Sequence, residues 1–505
     1  MMDKFYLTTP LYYVNDAPHI GHAYTEVAAD VLARTERLLG KDVFFLTGTD
    51  EHGQKVATAA ASLNLKPKEL ADRMVVRFQK LWEELNISYD RFIRTTETDH
   101  EEVVKKIFRK IYQRGDLYQG TYKGYYCVHC ESYITSSQLK ENLCPDCERK
   151  VGSLEEPTYF FRLSKYQKDL LSYINEHPGF VDPAQRKNEV VKFIQRGLND
   201  LSFTRRNCEW GIPIEEGLTI YVWFDAILNY LSGVGYLLNS EVFEKYWPPD
   251  VQFIGKDIIR FHDIMWPAIL FSLSLPLPRK IFAHGWWKIT GEKISKSKGL
   301  VISPQDIISE FGVDPFRYFL LREIPFGADG EYSYAAFVKR YNSDLANDLG
   351  NLLHRTLALI ESSFDGKIPE SSGSSDEKLK EKSLSLAGIL PQIEALKYSE
   401  ALSKIWEVIG LANKYLDEKS PWRLSQKEAA PALYNVVETL RIVALYLKPF
   451  LPTSSSKIAE RLGIGEEFKR QNLKETQWGL LPEGRKIKRG KPIFPRKEKR
   501  RIFDG

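Results

Sequence analysis

The sequence predicts an α/β chain: a parallel-sheet domain split by an inserted cysteine-rich segment and followed by a C-terminal α-helical bundle. Three observations carry this expectation. The first 50 residues read strand, helix, strand. Two Cys-x-x-Cys pairs, Cys127/Cys130 and Cys144/Cys147, then interrupt the rhythm. From about residue 334 the apolar residues recur at helical spacing to the end. At 505 residues the chain is too long for one hydrophobic core, so two to four domains are expected.

Residues 5–9 read as a short buried strand ended by Pro10. A loop with Asn15, Asp16 and Pro18 follows. His19 opens a helix that runs through Val27, Val31 and Leu38 to Gly40, a glycine suited to the position just past a helix end. Residues 43–46 form the next strand, and 47–50 follow its C-terminal end. A βαβ unit of this kind implies a parallel, Rossmann-like sheet, whose ligands bind beyond the C-terminal ends of its strands. The 10–22 loop and Asp50 fall there. Tyrosines, turns and the cysteine pairs dominate 115–213, the insert. Residues 220–224, 251–254 and 281–284 read as returning strands, the last running into a loop rich in lysine and serine. In the bundle, Leu345, Leu349, Leu352 and Leu353 share one face, as do Val436, Leu440, Val443 and Leu447. Residues 366–375 form a flexible loop between helices. The expected division is 1–114 and 214–275 for the two halves of the sheet domain, 115–213 for the insert, 276–333 for a region carrying the lysine loop, and 334–505 for the bundle.

The cysteine pairs are 13 residues apart, which is tetrahedral four-cysteine spacing. Each pair forms a knuckle, with Pro145 in the turn of the second. Four filled ligand positions point to one structural Zn2+ and leave none for a catalytic water. His129, inside the first knuckle, falls outside the ligand set, and Cys208 reads as a small apolar core residue. Metal-spaced cysteines suit a reducing, cytoplasmic compartment. The composition, 43% hydrophobic and 27% charged, is that of a globular protein. No apolar run reaches the roughly 18 residues of a membrane span, and the first ten residues lack the plan of a signal peptide. The net charge of +4 says less than its placement: residues 485–501 hold ten Lys or Arg and one Glu. That stretch is either a solvated, frayed terminus or a tail that helps hold an RNA backbone.

His19 and His22 stand three apart at a helix start, where free N–H groups and the helix dipole already favour anions. Two imidazoles there can donate to phosphate oxygens, and Gly21 between them lets a flat base lie against the backbone. The segment 293–299, Lys-Ile-Ser-Lys-Ser-Lys-Gly, cannot pack in a core. As a phosphate clamp, Lys293 and Lys296 would neutralise charge on a departing pyrophosphate, with Ser295 and Ser297 beside them.

The two motifs, in this order after a βαβ unit, resemble the signature sequences of class I aminoacyl-tRNA synthetases. Further stretches resemble the methionyl-tRNA synthetases: Pro10-Leu11-Tyr12-Tyr13-Val14-Asn15 running into His19, then 48–53, 221–226, 253–258, Phe261-His262 and 347–355. The likeness runs collinearly from about residue 5 to 455. It implies activation of L-methionine by ATP with Mg2+ to a methionyl-adenylate, then transfer to tRNA(Met), initiator and elongator alike. It also implies that Leu11, through its backbone, and Asp50 hold the α-ammonium. Tyr13, Trp223, Ala226, Tyr230, Ile258, Phe261 and His262 would line the side-chain pocket, and Asp257 would bond the ribose or the amino acid. His19, Gly21, His22, Lys293, Ser295, Lys296 and Ser297 would serve ATP, with His19, His22, Lys293 and Lys296 as the catalytic set. Matching positions in the family read the anticodon; here they are Asn347, Asn351 and Arg355, four apart on a helix, and Trp422 after Pro421. The bland alternatives are helix surface for the row of three and core for the tryptophan.

The remaining length leaves no strand-rich stretch for an additional C-terminal barrel, so a monomer is expected. Two rivals stand beside this reading. One is a class I synthetase for another apolar amino acid, separable by amino-acid-dependent pyrophosphate exchange. The other is an inactive synthetase-like RNA-binding protein, against which the intact histidines and lysines count.

Overall fold

The computed structural model describes residues 3–134, 139, 142–145, 147–206, 208–289, 303–371, 376–473 and 476–498. The chain opens with strand β1 (Lys4–Tyr13), helix α1 (Ile20–Leu38) and strand β2 (Asp42–Asp50). Helices α2 (Gln54–Ser62) and α3 (Pro67–Glu84) lead to β3 (Arg91–Arg94), and α4 (Thr98–Gln113) follows. The insert contributes β4 (Leu117–Cys127), β5 (Ser132–Ile134), β6 (Gly152–Phe161), β7 (Val181–Asp182) and β8 (Leu201–Ser202). Beyond it come β9 (Thr204–Arg205), β10 (Thr219–Ile220), β11 (Val251–Gly255) and β12 (Ile281–His284).

The central sheet is parallel throughout, in the order β3-β2-β1-β11-β12-β7. Strand order reverses between β1 and β11, and such a switch point opens a crevice at the C-terminal strand ends. Strands β5, β4, β6 and β8 form a separate antiparallel sheet around the cysteines. Val181–Asp182 lies inside the expected insert yet edges the parallel sheet, so the chain returns to that sheet before the insert is complete.

Two expectations need correction. β1 does not stop at Pro10: it continues to Tyr13, and its pairing with β2 shifts register between Thr8 and Leu11. A proline lacks the ladder N–H, and an irregularity at that point lets the strand pass it. Residues 220–224 do not form a returning parallel strand. Thr219–Ile220 pairs antiparallel with β9, and Val222–Ile227 is a buried helix. A short continuous apolar run has no period by which to tell strand from buried helix. The His19-to-Gly40 helix is as expected, with His19 as N-cap, Leu39 as C-cap and Gly40 at φ 81°.

The C-terminal region is helical. Tyr398–Lys419 and Gln426–Leu447 pack together, and the eight leucines and valines read from the sequence are fully buried. One fully buried guanidinium joins this bundle to the sheet. Arg317 pairs with Asp30 of α1 at 2.7 Å and donates to the carbonyls of Leu85 (3.0 Å), Pro449 (2.9 Å) and Phe450 (2.9 Å). Burial pushes the Asp30 carboxyl up, but Arg317 and Arg34 outweigh it and hold it below the usual range. Removing one partner of so buried a pair costs about 3–5 kcal/mol. Tyr398 adds a hydrogen bond to the Ala28 carbonyl of the same helix, at 2.8 Å.

The basic tail is not frayed over 485–498. Ile368 N donates to Arg485 O, Ile487 N to Gly366 O and Lys488 N to Arg461 O. Ile487 and Phe494 are buried, and Asn342 bonds both backbone groups of Lys497. The same contacts pin residues 366–368, the start of the loop expected to be flexible. No helix among the described residues is long and apolar enough to cross a membrane.

Candidate active site

The histidine pair closes the start of α1. The His19 side chain accepts from Gly21 N at 3.1 Å, and His22 Nδ1 accepts from His19 N at 3.2 Å, a reciprocal cap. The two rings stack with centroids 3.6 Å apart. A Cβ on Gly21 would lie 3.0 Å from the His19 ring, so the glycine makes room for that stack. His22 leans on Tyr12 and Phe78. Burial, then the neighbouring His19 and Lys55, hold its imidazole well below its ordinary value. His22 is therefore neutral, and because Nδ1 accepts, Nε2 carries the proton and is left as a donor. One turn on, Thr25 Oγ1 meets His284 Nε2 at 2.7 Å, while His284 Nδ1 faces the Gly285 carbonyl at 2.8 Å.

Asp50 and Tyr13 end β2 and β1 and are partners in register. Asp50 is buried, and its Oδ1 and the Tyr13 hydroxyl have no hydrogen-bond partner among the described residues. Burial first, then Asp225 and Glu131, push the Asp50 carboxyl well above the usual carboxylate range. A buried, unsatisfied carboxylate at a strand end is costly unless something cationic meets it.

An aromatic box adjoins it. Tyr13 meets Trp223 edge-on at 6.1 Å, and Trp223 stacks on Phe261 at 3.9 Å with an interplanar angle of 6°. Tyr230 Oη lies 2.8 Å from His262 Nε2, and His262 Nδ1 lies 3.1 Å from the Ile258 carbonyl. A carbonyl can only accept, so Nδ1 bears the hydrogen and the tyrosine donates to Nε2. Burial pushes His262 down to about 4, which keeps the ring neutral. Ala226 is buried on the Trp223 helix, and Leu11 follows the register shift in β1. Phe261–Met265 is wound as a π-helix, a form that recurs at functional sites.

Behind Asp50 lies a polar network that the sequence did not announce. His52 Nδ1 is 2.7 Å from Asp225 Oδ2, and His100 Nε2 is 2.8 Å from Asp225 Oδ1. Burial raises Asp225, but the two histidines outweigh it and hold the carboxyl below its usual value.

The cysteine insert reaches into this site. The four sulfurs lie within 4.8 Å of one another, with Cys127–Cys147 at 3.6 Å and Cys130–Cys144 at 3.9 Å. Ligands about 2.3 Å from a tetrahedral Zn2+ stand roughly 3.8 Å apart, so the donor set fits that ion. His129 Nδ1 lies 3.9 Å from Cys130 Sγ, within the sulfur shell's surroundings rather than the donor set. Cys208 is half-buried beside the Trp210 carbonyl, a correction to its expected place in the core. The Cys130 carbonyl accepts from Trp223 Nε1 at 3.3 Å, and the Glu131 carbonyl accepts from Tyr221 Oη at 2.6 Å.

Asp257 follows β11. Its Oδ1 accepts from Trp286 Nε1 at 3.1 Å, so it sits toward the His284 side of the crevice. Lys293, Ser295, Lys296 and Ser297 lie outside the described residues.

A second cluster lies on the bundle. Asn347 and Asn351 are exposed on one helix, and Arg355 is half-buried, bonded to Asp417 at 2.8 Å. Its guanidinium lies 5.6 Å from the Trp422 ring, which is 46% exposed, so the tryptophan is not core. The first part of that helix, Tyr341–Gly350, is again π-wound.

Comparison with known proteins shows the family. The family described as tRNA synthetases class I (M) matches residues 5–156 and 151–357. The anticodon binding domain of methionyl tRNA ligase matches 365–501. A methionine–tRNA ligase of Caldanaerobacter subterraneus subsp. tengcongensis is 50% identical over 509 residues, covering 98% of this chain and 79% of the relative. One from Thermotoga maritima is 46% identical over 504 residues, covering 97% and 80%. The solved Mycobacterium tuberculosis methionyl-tRNA synthetase in complex with methionyl-adenylate superposes with a TM-score of 0.93 at 42% identity, covering 98% of this chain and 100% of that one. The chain belongs to the methionyl-tRNA synthetase family of class I.

Proposed function

We propose that this chain joins L-methionine to tRNA(Met) in two steps, first activating it with ATP to methionyl-adenylate. The observation that carries the assignment to this site is the buried pair of unsatisfied groups, Asp50 Oδ1 and Tyr13 Oη, beside an aromatic box. An amino acid offers the matching parts: an ammonium for Asp50, with Leu11 adding a backbone acceptor, and a side chain for the box. A thioether suits that box because sulfur is polarisable and packs well on aromatic edges. Trp223, Ala226, Tyr230, Ile258, Phe261 and His262 are its walls in this reading.

The carboxylate then faces the start of α1. The α1 N–H groups and the neutral donor His22, with His19, take phosphate oxygens, and Asp257 takes the ribose. The methionine carboxylate oxygen attacks the α-phosphorus, and the bond to pyrophosphate breaks with its electron pair leaving on pyrophosphate. Mg2+ bound with ATP would shield the triphosphate, and Lys293, Ser295, Lys296 and Ser297 would serve the phosphates in this reading. A Zn2+ held by Cys127, Cys130, Cys144 and Cys147 would fix the knuckle against Trp223. Asn347, Asn351, Arg355 and Trp422 read the anticodon by base-edge bonds and stacking. Both sites are assembled within one chain, which supports a monomer, and the metal-type cysteine spacing supports a reducing, cytoplasmic compartment. Pyrophosphate exchange into ATP tests the reading. It should depend on methionine and not on valine, leucine, isoleucine or cysteine; equal exchange with one of those would overturn it.

A further inference from the structure

We propose that Lys55 is a further substrate-contacting residue of the activation step. Its ammonium meets the anion formed where the methionine carboxylate joins the α-phosphate, and Glu131 is its positioning residue. This rests on the methionine-activation reading above.

The argument begins with backbone. β2 ends at Asp50 and α2 starts at Gln54, with Gly53 as an N-cap that has no side chain to satisfy the helix. Glu131, directly after the knuckle's Cys130, supplies the missing acceptor from 76 residues away: its Oε1 accepts from Lys55 N at 2.6 Å. Tyr126 Oη donates to the other oxygen, so the carboxylate is fixed from both sides. Glu131 is only 2% exposed. Gly53 stands at φ +103°, and a Cβ there would lie 2.9 Å from Glu131 Oε1. No other residue type fits, and the first turn of α2 is held in one place.

That turn aims Lys55 at the substrate site. Its Nζ lies 4.6 Å from the centre of the Tyr13 ring, and Tyr13 is the register partner of Asp50. In an amino acid the nitrogen and the carboxyl carbon are about 2.5 Å apart. A methionine anchored by its ammonium at Asp50 therefore brings its carboxylate into the neighbourhood of Lys55. On the other side the Lys55 charge is felt at His22, which opens the phosphate-binding end of α1. The ammonium thus stands between the ammonium anchor and the phosphate anchor, where the new bond forms.

The chemistry there needs a cation. The carboxylate's charge passes to the α-phosphoryl oxygens as its oxygen adds to phosphorus, and on to pyrophosphate as that group departs with the electron pair. Lys55 stays protonated throughout and gives up nothing. A fixed cation aimed at developing charge in a buried site acts mainly on the transition state.

Lys55→Met and Lys55→Arg, measured by pyrophosphate exchange and by binding of methioninol, test this. Methioninol keeps the ammonium and side chain but has no carboxylate. Lys55→Met should lower kcat about 100-fold while methioninol affinity stays within about threefold. Lys55→Arg should recover part of the loss. Glu131→Gln should lower kcat about tenfold alone and add nothing in the Lys55→Met background, because it acts through Lys55. A kcat within about threefold of the parent, or a methioninol affinity that falls as far as kcat, would overturn the assignment to Lys55. Additive losses would overturn the role of Glu131. A parent protein with no methionine-dependent exchange would instead remove the functional reading itself.

Discussion

Asp50→Asn is the sharpest perturbation of the substrate site. The side chain keeps its size and loses its charge. Asp50 is 2% exposed, so solvent does little to screen its interaction with an ammonium. Removing one partner of a buried ion pair costs about 3–5 kcal/mol, which corresponds to roughly 150- to 5000-fold in affinity. The lower end is the better expectation. In the unliganded fold the carboxyl is pushed up by burial and by Asp225 and Glu131, so part of the binding energy is spent in ionising it. The KM for methionine in pyrophosphate exchange should therefore rise by about 100-fold or more. A comparison ligand isolates the cause. 4-(Methylthio)butanoate has the same side chain and carboxylate but no ammonium, and as an inhibitor it should bind the parent and the variant alike. A KM change under about tenfold, or an equal weakening of methionine and the analogue, would refute Asp50 as the ammonium anchor.

Three further outcomes are expected. Trp422→Ala should weaken tRNA(Met) binding by about 1–3 kcal/mol, the worth of one base stacked on an aromatic ring, while methionine-dependent exchange is unchanged; loss of exchange would move the residue out of RNA recognition. Replacing the exposed Lys486, Lys488, Lys491 and Arg496 by Ala should flatten the dependence of log affinity on log salt by up to about 3, with the fold intact, since these side chains point away from the packed Ile487 and Phe494; an unchanged slope would separate the tail from RNA. Glu26 is raised by burial to about 7, so between its ordinary 4.5 and 7 the fold keeps a proton that the unfolded chain has released. Stability contributed by that group is complete below the window and falls by about 3 kcal/mol as pH rises through it. Glu26→Gln should remove this slope in urea titrations from pH 5 to 8, and an identical slope would show that Glu26 is not its source.

What the sequence made legible depended on whether the signal was local. The four cysteines announce themselves because a metal site needs its ligands at short fixed spacings. His19 and His22 do so because both sit within one turn of a helix start. Asp50 was readable from its place at the end of a strand in a βαβ unit. Local signals failed where one pattern served two structures: the apolar run 220–224 carries no period, and Pro10 marks a break that the sheet absorbs as a register shift. Other features were out of reach in principle. His52 and Asp225 are 173 positions apart, Arg317 and Phe450 are 133 apart, and Glu131 caps a helix 76 residues earlier. No spacing rule joins such pairs, since only the folded chain brings them together. Trp422 was ambiguous for another reason: exposure is a property of the finished surface, and a tryptophan after proline suits core and surface equally.

Helix α1 draws the three parts of the molecule together. Its first turn carries His19 and His22 into the crevice. Glu26, one turn further, accepts from Thr9 of β1 at 2.7 Å and Thr47 of β2 at 2.6 Å, which fixes the helix to the two strands that end in Tyr13 and Asp50. Its middle, at Ala28 and Asp30, is bonded to Tyr398 and Arg317, and through Arg317 to the Pro449–Phe450 carbonyls of the bundle. The knuckle meets the same crevice from the opposite side through the Cys130 and Glu131 carbonyls. All of these links but the half-buried Trp223–Cys130 bond are buried, so breaking any of the others leaves an unpaired group rather than a solvated one. The bundle is thus tied to the helix that carries His19 and His22 by bonds that cannot be exchanged for water at little cost. The four-cysteine insert is tied in the same way to Tyr221, two residues before Trp223, through the Glu131 carbonyl. Each of the two appended parts fixes a different wall of one crevice, and in the proposed reaction the methionine carboxylate would lie where their constraints meet.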